Sequence, residues 1–251
     1  HSNASDNFYL QDSNSKTCYI VDLKTLLNSR KFVPDEQFRY SSEVLPTSDL
    51  CLLDDNRYIG YHMWYLDDKQ FSKVDSPLGY YQKGEDSGKG MDDFPFFVAS
   101  VNGARLFKNP QTQELWTADM HRDAIRIYND SLKQIRELVG PDHFSPEYTR
   151  RQIDAPVAFV TFADECDYHA YTDYYITDKH IYLVYEGNKH FDMKNLSPVE
   201  IFKLDFDGNL LCNYKPDRYV YSISINKKED TLYCASRSSV MEPPVILKYK
   251  L

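Results

Sequence analysis

The chain lacks the features that would place it in several functional classes. Its 251 residues hold five cysteines, Cys18, Cys51, Cys166, Cys212 and Cys234, an odd number with no C-x-x-C pair. That pattern argues against a disulfide framework. It reads as reduced thiols, with Cys18, Cys51 and Cys234 inside apolar runs that would bury them. No apolar stretch approaches the ~18 residues of a membrane-crossing helix, so no transmembrane segment is expected. Lys and Arg number 29 against 38 Asp and Glu, a net charge of −9. An acidic surface repels phosphate backbones, and the basic clusters, Arg150-Arg151 and Lys227-Lys228, are short. No nucleic-acid partner is expected. There is no H-E-x-x-H and no G-x-S-x-G. Gly84 to Gly90 lacks the four-residue gap between Gly and Gly-Lys that a phosphate loop needs, and reads as a surface loop. Asp205 to Asn209 begins like a calcium loop, but its twelfth position is Pro216 where a glutamate is required. No signal peptide is present; His1-Ser2-Asn3-Ala4 reads as a cloning scar, which leaves 5–251 as the domain and export undecided.

Aromatic side chains are abundant, with 21 Tyr and 14 Phe, and hydrophobic residues make up 42%. Tyrosine suits a half-buried pleated surface, ring inward and hydroxyl toward water. A unit of short strand, polar loop, β-branched strand and tight turn recurs, beginning near residues 8, 58, 114, 180 and 231. The clearest copy runs from Glu114-Leu115-Trp116-Thr117-Ala118-Asp119 through Ala124-Ile125-Arg126-Ile127-Tyr128 to Leu132–Leu138, with period two at Ile125 and Ile127. Another opens at His180 to Tyr185, follows a longer loop from Glu186 to Pro198 into Val199–Leu204, and turns at Asp205–Asn209, where Asp-Gly signals a type I′ hairpin. Lead-in strands are read at Leu50–Leu53, Ala158–Phe162 and Tyr221–Ile225. Repeats of ~40–50 residues match four-stranded propeller blades. The expected fold is therefore all-β: a single β-propeller over 5–251, with four-stranded antiparallel blades and five countable units. A β-sandwich explains the strands but not the spacing. Helix is scarce: a turn within Ile20–Asn28, and a short helix at Ser145–Gln152 with Ser145 as cap and Pro146 at its first position.

Residues Tyr174 to Ala235 resemble the TolB-like six-bladed β-propeller family of Bacteroidetes. The matching stretches are Thr177–Gly187, Ile201-Phe202-Lys203-Leu204-Asp205-Phe206-Asp207-Gly208-Asn209 and Thr231-Leu232-Tyr233-Cys234, and Ile246–Tyr249 fits the family's closing strand. Ala118-Asp119 to Tyr128 also looks like an NHL-type propeller repeat. The resemblance implies six blades, one more than the countable units. It implies an exported envelope protein, periplasmic or outer-membrane-associated, often a lipoprotein whose anchor a trimmed N-terminus would lose. It implies no established activity.

Two loops carry the best candidate chemistry. Asp119-Met120-His121-Arg122-Asp123 places two carboxylates and an imidazole at alternating positions, a spacing suited to ion binding or acid–base work. Asp164-Glu165-Cys166-Asp167-Tyr168-His169 follows a lead-in strand, where its carboxylates suit a hard cation. The plainer account of both is a solvated polar loop. Asp164, Glu165, Asp167, His169, Asp119, His121 and Asp123 are thus loop candidates for ligand or ion binding, with no catalytic residue, metal site or cofactor assigned. His62-Met63-Trp64-Tyr65 offers rings for sugar stacking but reads first as strand core. The leading expectation is a non-catalytic binding or scaffold propeller with a protein or glycan partner. The alternatives are a glycoside hydrolase or lyase, which needs two carboxyls ~5–9.5 Å apart across a cleft, and a carbohydrate-binding module, which needs exposed rings such as Trp64 or Trp116.

Overall fold

A computed structural model describes residues 7–251 except 30, 55, 67–73, 86–95, 99, 155–156, 163–167 and 191–195; for 7, 96–98, 100, 150–161 and 188–190 it describes the backbone alone. The chain divides into two compact units, His1–Phe107 with Arg150–Thr161, and Lys108–Thr149 with Phe162–Leu251. Six sheets of three or four strands lie among the described residues.

In the first unit, β1 (Asn7–Asp12), β2 (Thr17–Asp22) and β3 (Glu36–Arg39) form one meander, and β4 (Cys51–Leu52), β5 (Arg57–Tyr61) and β6 (Leu78–Gln82) a second. Alternation along β2 turns Cys18 and Ile20 inward. They meet Phe38, Tyr40, Val44 and Tyr58 in one buried cluster. After β2 the chain makes helix α1 (Leu23–Ser29), started by Asp22, whose carboxylate accepts the Thr25 N–H at 2.7 Å. This is the turn expected within Ile20–Asn28. The third sheet is discontinuous in sequence. Strand β7 (Phe96–Val98) ends it, and β12 (Tyr148–Asp154) and β13 (Val157–Phe162) return to it after the intervening strands of residues 104–139. The β7–β13 pairing is parallel, Phe97 opposite Phe159.

That sheet corrects two expectations. Ser145–Gln152 does not form a helix: Tyr148 onward is β12, because Tyr148, Thr149 and Ile153 give no apolar helical stripe and the segment pairs along β13. Ala158–Phe162 is not the lead-in strand of the next unit but the middle strand of this additional sheet. A sheet assembled from segments some 50 residues apart has no contiguous repeat. Five countable units therefore become six sheets among the described residues.

Strand β8 (Ala104–Lys108) closes the N-terminal stretch of the first unit, which ends at Phe107. In the second unit, strands β9 (Leu115–Asp119), β10 (Ala124–Tyr128) and β11 (Gln134–Val139) follow, in sheet order β11-β10-β9. All five residues of β9 and all five of β10 are buried. Arg126 is buried among them because it lies opposite Glu137 in register and donates to that carboxylate at 3.0 Å. Next come β14 (Tyr168–Ile176), β15 (Ile181–His190), β16 (Glu200–Leu204) and β17 (Leu210–Tyr214), then β18 (Val220–Ile225), β19 (Thr231–Ser236) and β20 (Val245–Lys250). Tyr182, Val184, Ile201, Ile223, Leu232 and Cys234 belong to a common core between these last two sheets. Asp173 on β14 reinforces it by accepting the Ile223 N–H of β18 at 2.8 Å.

The Asp205–Asn209 hairpin forms, with a different turn. A type I′ turn needs positive φ at both Asp207 and Gly208, and only Gly208 has it, at 86°. Asp205 instead organises the loop, its carboxylate accepting N–H groups from Asp207 at 3.0 Å and Asn209 at 2.8 Å. The extra residue appears as a register shift between Lys203 and Leu204.

Candidate functional site

The second unit brings together the two loops singled out in the sequence. Strands β9 and β10 leave only Met120 to Asp123 for their connection, so these side chains are held tightly at the strand ends. Asp119 lies 3.1 Å from the Arg126 guanidinium, which also binds Glu137. Asp123 is 2% exposed. Its Oδ2 accepts the backbone N–H groups of Asp142 at 2.6 Å and His143 at 2.8 Å, and its Oδ1 accepts the Tyr171 hydroxyl at 3.3 Å. Asp142 in turn accepts the Tyr185 hydroxyl at 2.9 Å. Burial, reinforced by the Asp123 charge, pushes both the Tyr171 and the Tyr185 hydroxyls well above the usual phenol range. These two carboxylates act within the fold, Asp119 on a guanidinium and Asp123 on a turn.

His121 points another way. The Ala170 N–H donates to the Met120 carbonyl at 2.7 Å, which lays the start of the loop against β14. His121 Nδ1 then lies 3.1 Å from the Tyr168 carbonyl. A carbonyl only accepts, so Nδ1 is the donor in this contact. The His121 ring sits 4.6 Å from the Phe162 ring and 5.3 Å from the His169 ring, the latter at an interplanar angle of 87°. His169 Nδ1 faces Glu186 Oε2 at 3.4 Å. The other oxygen of Glu186 accepts the Tyr219 hydroxyl at 2.8 Å. Burial, and then the Glu186 charge, raises the Tyr219 hydroxyl far above its ordinary value.

The structure therefore joins His121 to His169 and sends Asp119 and Asp123 elsewhere. Asp164, Glu165 and Asp167 lie outside the described residues. Among the described residues no three His, Cys, Asp or Glu side chains group into a metal cage. Sequence reading missed Glu186, placed in a loop when β15 runs on to His190, and missed Tyr168–Ile176 as a strand. The available signal was Glu186 continuing the β-rich run His180 to Tyr185 without a turn residue. Trp64 and Trp116, the rings a carbohydrate-binding surface would present, are 3% and 0% exposed.

Beside the Asp123 cluster lies a groove of about 380 Å³ lined by Ile125, Leu138, Phe202, Leu204 and Leu210, with Gly140, His143 and Tyr171 at one end. Its rim keeps Val139 and Leu210 more than half exposed, at 54% and 57%.

A family model, the TolB-like 6-blade propeller-like family, matches residues 8–228. The chain belongs to that family. The match takes in the first sheet, beyond the Tyr174–Ala235 stretch where the resemblance is plainest in the residues. No curated protein matches the sequence. Among solved structures, a member of the duf4221 family from Bacteroides vulgatus aligns over 98% of this chain and 76% of its own, at 9% identity and a TM-score of 0.54, and shares the fold. BamB from Moraxella catarrhalis aligns over 98% and 70%, at 12% identity and a TM-score of 0.38. The extracellular domain of the putative one component system BT4673 from B. thetaiotaomicron aligns over 94% of this chain and 26% of its own, at 9% identity and a TM-score of 0.41. Among the described residues no helix is long and apolar enough to cross a membrane.

Proposed function

We propose that this chain is a non-catalytic binding propeller of a bacterial cell envelope, acting as one domain over 5–251 and docking an extended segment of a protein partner in the groove beside β11 and β17. The observation that carries the reading is the groove itself: apolar walls from Ile125, Leu138, Phe202 and Leu204, and a rim that leaves Val139 and Leu210 exposed. Strand β11 is the outer strand of its sheet, and among the described residues no strand pairs with its outer edge, which suits an added strand. Apolar side chains of such a strand would fill the groove. The engagement of Asp119 and Asp123 inside the fold favours binding over glycoside hydrolysis, which needs a carboxyl pair facing a cleft. Burial of Trp64 and Trp116 removes the best support for a sugar-stacking platform. The envelope assignment follows from the family resemblance.

The test is a photo-crosslinking residue at Leu210 in cells, with the same residue at Leu27, 68% exposed on α1, as control. The reading expects a discrete protein adduct from position 210 that is absent from position 27 and lost when Leu138 is replaced by Glu. Identical adducts at both positions, or none, would overturn it. Release of reducing sugar from envelope glycans by the purified chain would overturn the non-catalytic part.

A further inference from the structure

We propose that the excursion between β2 and β3, residues 23–34, docks on an anionic lipid bilayer, with Leu23, Leu27, Phe32 and Val33 entering the interface and Lys24 and Lys31 meeting lipid phosphates. The surface belongs to the first unit, and its argument does not use the groove.

Four observations converge. First, the excursion is pinned at its base. Ile20 of β2 lies opposite Glu36 of β3. The Ile20 carbonyl accepts the Asp35 N–H at 2.9 Å, and the Asp35 carboxylate accepts the Asp22 N–H at 2.6 Å. Residues 23–34 therefore leave the sheet and return to it at one place. Second, apolar side chains concentrate there. Leu23, Leu27, Phe32 and Val33 are 44%, 68%, 49% and 55% exposed. Scattered exposed apolar residues are ordinary, whereas several large ones in one short excursion mark an interaction surface. Third, α1 buries none of its seven residues. A helix this short is marginal alone and ordinarily draws its stability from packing an apolar face. Leu23 and Leu27, one turn apart on the same side, supply such a face, and the described residues leave it uncovered. Fourth, the charge is complementary. The chain carries a net charge of −9, yet residues 23–34 contain no acidic side chain, and Lys24 and Lys31 are exposed. The acids at the base are engaged in the fold: Asp22 accepts the Thr25 N–H, Asp35 accepts the Asp22 N–H, and Glu36 pairs with Lys83.

The arrangement also selects the occupant. Each lysine adjoins an apolar residue, Lys24 beside Leu23 and Lys31 beside Phe32. A lysine lays its methylene stem along apolar surface and carries its ammonium to water or phosphate. Leucine and phenylalanine edged by lysine is the composition of a segment that lies on a membrane. A helix offers no backbone edge to an added strand, so the pairing that suits β11 does not apply here. The Phe32 ring meets Tyr19 edge-on at 5.8 Å, which holds the returning segment against β2 while half of Phe32 stays exposed. Docking would hold the first unit against a bilayer without a spanning segment.

The experiment is co-sedimentation of the full chain with vesicles of phosphatidylcholine alone and of phosphatidylcholine mixed equally with phosphatidylglycerol. Wild type is compared with Leu27→Glu, Lys31→Glu and, as control, Met241→Glu, which adds a carboxylate at a residue 92% exposed between β19 and β20. Wild type should bind the anionic vesicles, release them at high salt, and leave the neutral ones in solution. Binding should weaken at least ~10-fold in Leu27→Glu. It should weaken at least ~5-fold in Lys31→Glu. Met241→Glu should bind as wild type does. Circular dichroism checks that each variant is folded. A second readout replaces Leu27 by Trp: bromine-labelled acyl chains should quench its fluorescence, and should not quench Trp64 and Trp116 of the wild type, which are 3% and 0% exposed. No binding to anionic vesicles, equal binding to neutral ones, equal affinity of Leu27→Glu and Met241→Glu, or an unquenched tryptophan at position 27 would overturn the proposal.

Discussion

Replacing Gly140 with alanine should destabilise the second unit out of proportion to the single methyl added. A Cβ built on Gly140 would lie 1.8 Å from Asp123 Oδ1, 2.6 Å from its Cγ and 2.7 Å from the Tyr171 hydroxyl. Asp123 cannot step aside freely, because its Oδ2 holds the N–H groups of Asp142 and His143 and its carbonyl accepts the Gly140 N–H at 3.0 Å. Either the carboxylate moves and leaves two part-buried donors without their acceptor, or the 140–143 turn moves and loses the same bonds. Hydrogen bonds to a charged group contribute ~1.5–3 kcal/mol each, and overpacking costs ~1–3 kcal/mol by itself. Partial relaxation brings the expected loss to about 3–5 kcal/mol, a large share of the ~5–15 kcal/mol by which typical proteins are stable. For a chain of this size that lowers Tm by roughly 10 °C. Urea denaturation followed by tyrosine and tryptophan fluorescence measures it. A double-mutant cycle with Asp123→Ala isolates the cause, since without the carboxylate Gly140→Ala should cost no more than ~1 kcal/mol. A cost below ~0.5 kcal/mol in the wild-type background, or an equal cost in both backgrounds, would refute the reasoning.

Glu229 should make stability acid-sensitive. It sits at a φ of 56° between β18 and β19 and collects the Thr177 hydroxyl, His180 Nδ1 at 2.5 Å, the Tyr182 hydroxyl at 3.3 Å and Lys203 Nζ at 3.4 Å. Burial alone would raise its pKa, but the bonds from Thr177, His180 and Lys203 outweigh burial and hold the carboxyl below its ordinary value of 4.5. A depressed carboxyl contributes stability that is present above its unfolded pKa and lost as pH falls through the folded one. Wild type should therefore lose more stability than Glu229→Gln between about pH 5 and pH 3, and parallel urea midpoints over that range would contradict this. Thiol labelling should be ordered by burial: at mildly alkaline pH a maleimide should modify the half-buried Cys212 before Cys18 and Cys234, whose thiols burial pushes up to about 11 and about 12. Peptide mapping that finds Cys18 or Cys234 labelled first would show that the strands carrying them are not packed as described.

The parts of the fold that were legible in the sequence are those whose strands are neighbours along the chain. Units opening near residues 8, 58, 114, 180 and 231 each close their own hydrogen bonds within some 50 residues, so periodicity and turn chemistry sufficed. The sheet β12-β13-β7 was not legible, because pairing Phe97 with Phe159 joins segments far apart along the chain and leaves no local period. Asp-Gly predicted the hairpin at Asp207-Gly208 but not its turn, since the Asp205 side chain supplies the loop's hydrogen bonds and only Gly208 needs a left-handed φ.

The same distinction explains the candidate site. Composition pointed to Asp119–Asp123 and Asp164–His169 as separate loops, and within each the residues looked equivalent. Geometry divides them by what lies opposite. A carboxylate facing Arg126 or a run of backbone N–H groups is drawn into the fold, whereas the two imidazoles meet because Met120 and Ala170 share a hydrogen bond that no sequence spacing announces. Glu186 joins the arrangement from β15, at a position the sequence reading assigned to a loop. What makes His121 and His169 a joint candidate is thus a register between the β9–β10 connection and β14. A change that shifts that register, without touching either imidazole, should separate the rings.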